Sequence, residues 1–451
     1  MKLGKAAVVV LAAAVLGITA APVAALAPPE VVVGLTPPDE PPGPEVPMKQ
    51  NQGCQSTGVL RDSDLTRTPP AELALDLPRA RALSRGAGVT VAVIDTGVSP
   101  HPRLPNLVGG GDYIEAGGDG LFDCDAHGTL IAGIIGAQPD VADGFTGVAP
   151  DARILSIRNR SGAFTFDRVS RDQTEATAHH IRALARAIVH AANLGAGVIT
   201  VSLPICVPVQ SQPDQSTLSA AIGYAVRIRG SLIVAGAGGS STLGCGNNPD
   251  MDWTRPEDLR NWKYVQTIST PGWFAPEVLT VGFTTATGAP MSDSMSGPWV
   301  SVGAPGTGIE SLGPGANGLI NGIGEPNKLV PVGGSSFAAA YVSGVAALLR
   351  SRFPNETPGE ISARLQASAH GPARGIDNVI GAGIIDPMVA LGYRTAPKVP
   401  AGLFMSRPLS IPAPPRAKDT KPAVTATVVI LAAVLLGVGG TYASSVSRRR
   451  R

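Results

Sequence analysis

Short apolar runs that alternate with stretches of helical periodicity constrain the fold of this chain most strongly. Runs rich in Val, Ile, Leu and Ala predict buried strands at Val89–Ile94, Ala152–Ile157, Val198–Leu203, Leu232–Ala235 and Val278–Phe283. A helical pattern from Ile181 to Asn193 separates two of these strands. Parallel strands joined by helices are buried on both sides, so they appear as nearly continuous apolar runs. The sequence therefore predicts an α/β domain with a mostly parallel central sheet, helices on both faces, and functional groups at the carboxyl ends of the strands.

The composition argues against a nucleic-acid-binding protein. The 451 residues have a formal net charge of +2, and aromatic residues make up only 4% of the chain. A nucleic-acid-binding protein needs a strongly basic face to neutralise phosphates. Nucleic acid is therefore not an expected partner.

The amino-terminal end has the pattern of a secretory signal peptide. Lys2 and Lys5 precede an uncharged run from Ala6 to Ala27 that is rich in Ala, Val and Leu. A basic start followed by an apolar segment and small residues is typical of such leaders. We expect residues 1–27 to be a signal peptide, and a retained membrane anchor is the alternative.

The carboxyl-terminal end predicts a single transmembrane helix. Residues 422–447, between Lys421 and Arg448, contain no charged side chain, and about 20 apolar residues suffice to cross the hydrocarbon core of a bilayer. The arginines of residues 448–451 form a basic tail, which the positive-inside rule places in the cytoplasm. We therefore expect a chain anchored in the cell membrane by one span, with its bulk outside the cytoplasm. A buried core helix is the alternative.

Two proline-rich segments bound the folded domain. Residues 28–65 form an amino-terminal arm, and residues 395–421 are typical of a semi-rigid stalk that holds a domain away from a membrane. Between them, residues 66–394 contain no internal repeat. We expect these residues to fold as one domain.

The cysteines predict disulfide bonds. An exported chain meets oxidising conditions, in which an even number of cysteines indicates disulfides. The four cysteines are Cys54, Cys124, Cys206 and Cys245, and the residues alone leave three pairings open. Because no Cys-x-x-Cys spacing is present, we expect neither a metal site nor another cofactor.

Two motifs place an aspartate at the end of a predicted strand and a histidine at the start of a predicted helix. Asp95 ends a hydrophobic strand and is followed by a glycine turn at Gly97, so its carboxylate is suited to orient a histidine; an Asx turn or a helix cap is the alternative. His127 stands at the first turn of an Ala- and Gly-rich apolar helix that begins with Gly128–Ile135. Tight packing of such a helix would hold the imidazole in place.

A third motif places a serine at the start of a helix. Gly333 and Gly334 allow a sharp turn into a long apolar helix that ends before Pro354. A serine there has its hydroxyl beside free N–H groups that favour developing negative charge. The alternative is that Ser335 or Ser336 merely caps the helix.

Together the three motifs, in the order Asp, His, Ser, resemble the subtilase family. The resemblance implies that Asp95 orients His127, that His127 acts as general base and then acid, and that Ser336 attacks the scissile carbonyl. It favours Ser336 over Ser335 because the family pattern is Gly, Ser or Thr, Ser, any residue, Ala, Ala. The block Gly147–Arg158 also matches the family. A lipase is excluded because the chain has no Gly-x-Ser-x-Gly elbow with a Ser, Asp, His order.

A closer resemblance is to the mycosins, the subtilases associated with type VII secretion. It rests on both terminal segments, the arm that ends near Cys54, and the blocks Leu184–Gly195 and Ser335–Gly344. The resemblance implies disulfides Cys54–Cys124 and Cys206–Cys245, the first fastening the arm beside the histidine. It also implies secretion-complex partners and a variable loop near the cleft at Arg160–Ala178.

The chain departs from the family at the oxyanion site. Subtilases usually have an Asn that donates a hydrogen bond to the oxyanion, and Gly239 stands where that Asn is expected. The backbone N–H of Ser336 would remain as a donor, and Asn247 is a second candidate for the missing one.

Two functions from different classes follow. The first is a membrane-anchored, extracytoplasmic serine endopeptidase of narrow specificity that acts on polypeptide substrates. The second is a weakly active or inactive structural component of a secretion membrane complex, with the same fold. The complete Asp, His, Ser set favours the endopeptidase.

Overall fold

The computed structural model describes residues 29–168, 173–211, 213–240, 244–316, 318–400, 430–438 and 440. The chain separates into two units, Met1–Arg407 and Pro408–Arg451. The described part of the second unit is helical at residues 430–438.

The first unit contains strands, α-helices and several single turns of tighter or wider helix. The strands are β1 (Met48–Gln50), β2 (Ser56–Gly58), β3 (Thr90–Asp95), β4 (Leu107–Asp112), β5 (Arg153–Arg158), β6 (Phe164–Phe166), β7 (Val198–Val201), β8 (Ile205–Pro208), β9 (Leu232–Gly236), β10 (Thr267–Thr270), β11 (Val278–Thr284), β12 (Val300–Pro305), β13 (Ser311–Leu312), β14 (Leu319–Ile320), β15 (Gly322–Glu325) and β16 (Lys328–Pro331). The helices are α1 (Pro70–Ala74), α2 (Leu77–Leu83), α3 (His127–Gly136), α4 (Gln173–Asn193), α5 (Ser216–Gly223), α6 (Ser335–Arg352), α7 (Pro358–Ala367) and α8 (Pro387–Gly392).

A seven-stranded sheet organises the unit. Its order is β12, β11, β9, β7, β3, β5, β4, and every neighbouring pair is parallel. The five predicted strands form its interior, which confirms the expected α/β architecture. The predicted end of one strand is wrong. The strand expected to reach Leu203 ends at Val201, because the chain turns there and places Ser202 just beyond the carboxyl end of β7.

Alternating side chains of the sheet build a core on each face. In β3, Val91 and Val93 belong to the cluster that contains the apolar residues of α3 and α6. The intervening Ala92 and Ile94 belong to the cluster on the opposite face, with α4 and α5. This period of two explains why the strand appears as an uninterrupted apolar run in the sequence. Both sides are buried, and the site must therefore lie at a strand end.

The described part of the arm, residues 29–65, packs along the domain. The Val32 N–H donates to Ser219 Oγ in α5 (3.2 Å), and Asp39 Oδ1 lies 2.8 Å from His190 Nδ1 in α4. Farther along, β1 pairs antiparallel with β6, and β2 pairs antiparallel with β15. The arm is thus a constituent of the folded unit.

The predicted terminal segments fall largely beyond the described residues. In the part of the chain that is described, no helix is both long enough and apolar enough to cross a membrane. The signal peptide at 1–27, most of the stalk at 395–421, the basic tail at 448–451 and more than half of the span at 422–447 lie outside the described residues.

Candidate active site

The structure brings the three predicted side chains to one edge of the parallel sheet. Asp95 is the last residue of β3, His127 is the first residue of α3, and Ser336 is the second residue of α6. The start of α3 lies so close to the turn after β3 that a Cβ atom at Gly128 would overlap the carbonyl oxygen of Gly97. Glycine at position 128 therefore allows the histidine to approach the aspartate.

Asp95 and His127 form a tight pair. His127 Nδ1 lies 2.8 Å from Oδ1 and 2.9 Å from Oδ2 of Asp95. The Asp95 side chain has no exposed surface, and the His127 side chain is 16% exposed. An acceptor at Nδ1 fixes the tautomer in which Nδ1 holds the proton, so that Nε2 is the basic nitrogen.

The electrostatics of this pair favour an ionised acid beside a basic imidazole. Burial acts to raise the pKa of Asp95, but the His127 charge and hydrogen bonds from His127, Ser202 and Thr96 outweigh it, so the pKa is lowered. Burial likewise acts to lower the pKa of His127, and the opposing effect of the Asp95 carboxylate raises it overall. Asp95 is therefore a carboxylate at neutral pH, and His127 is more basic than an ordinary histidine.

Ser202 connects Asp95 to Ser336, and it is a functional residue that no sequence motif predicts. Its hydroxyl donates to Asp95 Oδ2. Its carbonyl oxygen accepts a hydrogen bond from the Ser336 hydroxyl at 2.8 Å. Ser202 follows β7, which pairs with β3 in the sheet. Its position just after the carboxyl end of a strand is the one sequence feature that indicates a functional role.

Asp123 and Thr96 tie the start of α3 to the end of β3. The Thr96 hydroxyl donates to Asp123 Oδ1 (2.8 Å) and accepts from the Gly128 N–H (2.9 Å). Asp123 Oδ2 accepts from both the N–H and the hydroxyl of Thr129, at 2.8 and 2.7 Å. Burial raises the pKa of Asp123 to about 6, although these hydrogen bonds act to lower it. This network fixes the helix that presents the histidine, and no local sequence motif predicts it.

The two adjacent serines of α6 have different roles. Ser335 is buried, and its Oγ accepts a hydrogen bond from the Gly238 N–H at 2.9 Å. Ser336 is half-buried, and it lines the same cleft as His127. The ring of the following residue, Phe337, lies 5.2 Å from the His127 ring, measured between centroids. Ser335 thus joins α6 to the chain after β9, and Ser336 faces the cleft.

A cleft of about 400 Å³ opens beside His127 and Ser336. Gly238 and Gly239 form part of its wall, and Asp125 and Asp293 also line it. Among the described residues, no group of three or more His, Cys, Asp or Glu side chains is arranged to hold a metal ion.

The comparison with known proteins agrees with this geometry. Residues 86–383 match the model of the subtilase family. The chain belongs to the subtilases. Mycosin-1 of Mycolicibacterium smegmatis is 43% identical over 456 residues, which cover 99% of this chain and 100% of that protein. This subtilase is therefore a serine endopeptidase of the mycosin group.

Solved structures extend the likeness. The serine protease MycP1, an essential component of the type VII (ESX-1) secretion system, has 46% sequence identity and a TM-score of 0.78, with 82% of this chain and 100% of that chain covered. A chain of an intact ESX-5 inner membrane complex has 44% identity and a TM-score of 0.80, with 93% of this chain and 100% of that chain covered.

The mycosin disulfide pairing is confirmed. Cys54 pairs with Cys124, and Cys206 pairs with Cys245. The first bond joins the arm to the segment just before His127, and the Gln55 N–H donates to the Cys124 carbonyl oxygen at 2.8 Å. The second lies at the cleft, which Cys245 lines.

The two residues considered at the oxyanion site of this subtilase lie in different places relative to the cleft. Gly239 lines the cleft and forms an isolated bridge with Ser294. Asn247 is exposed; its Nδ2 donates to the Ser292 carbonyl oxygen (3.2 Å), and its Oδ1 accepts from the Ser296 N–H (3.1 Å). Asn247 is not among the residues that line the cleft. The structure does not bring the amide to the site, because backbone groups outside the cleft bind it.

Proposed function

We propose that this subtilase is an extracytoplasmic, membrane-anchored endopeptidase in which Asp95, His127 and Ser336 cleave polypeptides as a catalytic triad. The observation that supports it most directly is the bond from His127 Nδ1 to the buried Asp95 carboxylate, at the cleft that also contains Ser336. A histidine oriented through Nδ1 has Nε2 available to accept a proton from a serine.

The reaction follows from these positions. Ser336 Oγ attacks the scissile carbonyl while His127 takes its proton, and Asp95 stabilises the imidazolium that forms. His127 then donates the proton to the leaving amine, and water releases the acyl group by the same route. In this structure the Ser336 hydroxyl donates to the Ser202 carbonyl. It must therefore turn toward His127 when a substrate binds, as catalytic hydrogen bonds often tighten only in the complex.

Negative charge on the substrate oxygen is stabilised mainly by the backbone. Ser336 is the second residue of α6, so its N–H is among those that no helical carbonyl satisfies. The helix amino terminus also favours negative charge. Gly239 offers no side-chain donor. Loss of one such donor costs about 10²–10³ in kcat, a figure obtained on subtilisin, a relative of this chain. We therefore propose that hydrolysis by this enzyme is slow.

The location and partners are inferred from the terminal segments and the relatives. A signal peptide at 1–27, a span at 422–447 and a basic tail at 448–451 would place the domain outside the cytoplasm. The likeness to MycP1 and to a chain of the ESX-5 inner membrane complex supports a place in a type VII secretion complex.

A structural role is the second candidate function. Gly239 in the oxyanion position weakens the expected chemistry, and the likeness to a chain within a membrane complex covers 93% of this chain. In that case the fold would serve assembly, and hydrolysis would be dispensable.

Hydrolysis by the purified chain distinguishes the two functions. A quenched fluorescent polypeptide is offered to the wild type and to Ser336→Ala, and urea unfolding is measured on both. We expect hydrolysis by the wild type only, with a stability difference of at most about 0.5–2 kcal/mol, the usual cost of losing a serine near a helix start. Absence of hydrolysis by a folded wild type would favour the structural role.

A further inference from the structure

A second cavity adjoins the catalytic cleft. Its volume is about 570 Å³, and it shares Arg160, Pro204 and Cys245 with the cleft. It continues from there along β8 toward the first turns of α4, where His180 also lines it. We name it the Arg160 cavity. The Arg160 cavity is therefore adjacent to the place where a polypeptide would bind at Ser336.

Arg160 is held at this wall, and most of its side-chain donors have no hydrogen-bond partner among the described residues. Its backbone N–H donates to the Asp95 carbonyl oxygen (3.3 Å), which fixes the residue beside the triad. Its side chain makes one hydrogen bond within the described part of the chain, from Nη1 to the Pro204 carbonyl oxygen at 3.4 Å. A guanidinium has five N–H donors in a planar fork that matches a carboxylate.

Three arginines whose side chains have little exposed surface differ in this respect. Arg81, Arg103 and Arg364 each bind a carboxylate, at 2.8, 2.7 and 2.6 Å. Among the residues described, the Arg160 side chain binds only the Pro204 carbonyl oxygen. Arg160, which lines both cavities, thus forms no ion pair with a carboxylate of the described residues.

The charges of the two cavities decide where an anion would bind. The cleft proper is lined by Asp125 and Asp293, which would repel a substrate carboxylate. The described lining of the Arg160 cavity contains no Asp or Glu. Burial, together with the charges of Arg160 and His179, lowers the pKa of His180 to about 4, so this histidine is neutral at pH 7. Arg160 therefore sets the charge of its cavity.

We propose that the Arg160 cavity binds an acidic side chain of the polypeptide substrate, and that Arg160 determines this specificity by a bidentate bond to the carboxylate. The proposal deepens the proposed function, on which it rests for the identity of the cleft as the place where a polypeptide binds.

Binding to a variant that cannot cleave tests the proposal separately from catalysis. The chain with Ser336→Ala is titrated into dye-labelled, alanine-based octapeptides that contain one Glu or one Gln at each position in turn, and fluorescence anisotropy gives Kd. We expect one position at which the Glu peptide binds about 10- to 100-fold more tightly than its Gln counterpart, as for a hydrogen bond to a charged group. Arg160→Gln in the same background should abolish the difference.

Arg153→Gln is the matched control, because Arg153 is exposed at the opposite end of the strand that precedes Arg160. It should leave the Glu preference intact. Equal binding of Glu and Gln peptides at every position, or no binding of any Glu peptide at millimolar concentration, would overturn the proposal without any need for an Arg160 variant. A preference that survives Arg160→Gln would also overturn it. Hydrolysis by the wild type is scored separately, so failure of the proposed function appears there and not in Kd.

Discussion

Replacing Ser202 by Ala removes one donor from the buried Asp95 carboxylate. The hydroxyl of Ser202, the His127 Nδ1–H and the Thr96 N–H (2.6 Å) all bind this carboxylate. The carbonyl of residue 202, which accepts from the Ser336 hydroxyl, remains in the variant. The substitution therefore tests the support of the Asp–His pair without removing the backbone contact to the nucleophile.

The magnitude follows from the charge of the acceptor. A hydrogen bond to a charged group contributes about 1.5–3 kcal/mol, so urea unfolding of Ser202→Ala should show a loss of that size. A carboxylate that is held less firmly orients His127 less well, and kcat/KM on a fluorescent peptide should fall about ten-fold or more, since 1.36 kcal/mol corresponds to a factor of ten. The matched control is Ser231→Ala: Ser231 is equally buried, but its hydroxyl donates to the neutral carbonyl of Ala196 (2.7 Å). It should cost about 0.5–1.5 kcal/mol and leave kcat/KM unchanged.

The pH dependence makes the test stricter. The pKa of Asp95 is lowered from 3.8, so its contribution to stability is present above that value and is lost only as the pH falls through the lower, folded pKa. The Ser202→Ala deficit should therefore be the same at pH 5 as at pH 7. A deficit no larger than that of Ser231→Ala, or one that shrinks at pH 5, would refute the reasoning.

Three further predictions concern the oxyanion site, the arm and the histidine. Gly239→Asn should raise kcat about ten-fold or more by restoring a donor. An unchanged kcat would show that position 239 does not face the oxyanion, and a large loss of kcat in Asn247→Ala would contradict the placement of Asn247 outside the cleft. Cys54→Ser with Cys124→Ser removes a disulfide between residues 70 apart in the sequence. Loss of that loop constraint should lower the free energy of unfolding by about 4 kcal/mol, and a loss below about 1 kcal/mol would contradict a stabilising role of this disulfide. Because the pKa of His127 is raised from 6.5 and its neutral form is the base, kcat/KM should fall as the pH drops through a midpoint above 6.5; a midpoint below 6.5 would contradict the pairing with Asp95.

The interior of the sheet was predictable because each of its strands is buried on both faces. The edge strand β4 was not, since it contains three consecutive glycines, Gly109 to Gly111, which have no apolar pattern. The helix α4 begins eight residues before the predicted start at Ile181, because its first turns, from Gln173, are exposed or half-exposed and show no apolar period. Local patterns thus predict the core and miss the elements at its margins.

The site was predictable to the extent that its residues stand in distinctive local motifs. Asp95 ends a strand, His127 begins a helix and Ser336 is the second residue of a helix. Each stands within two residues of a glycine, so the sequence shows both the residue and its setting. Ser202 follows a strand without any such motif, and its importance arises only from the neighbour that the sheet order gives it. The disulfide pairing likewise came from the family resemblance, because four cysteines alone permit three pairings.

The rate at which a fluorophosphonate modifies Ser336 tests the central claim most directly. This reagent reacts with a serine that a neighbouring histidine activates, and intact-mass measurement followed by peptide mapping identifies the modified residue. We predict one adduct per chain, on Ser336, that is lost in Ser336→Ala and nearly lost in His127→Ala. The Ser335→Ala variant should still be modified, because the Ser335 hydroxyl binds the Gly238 N–H instead of facing the cleft. An adduct on Ser335, or a modification rate unaffected by His127→Ala, would contradict the account.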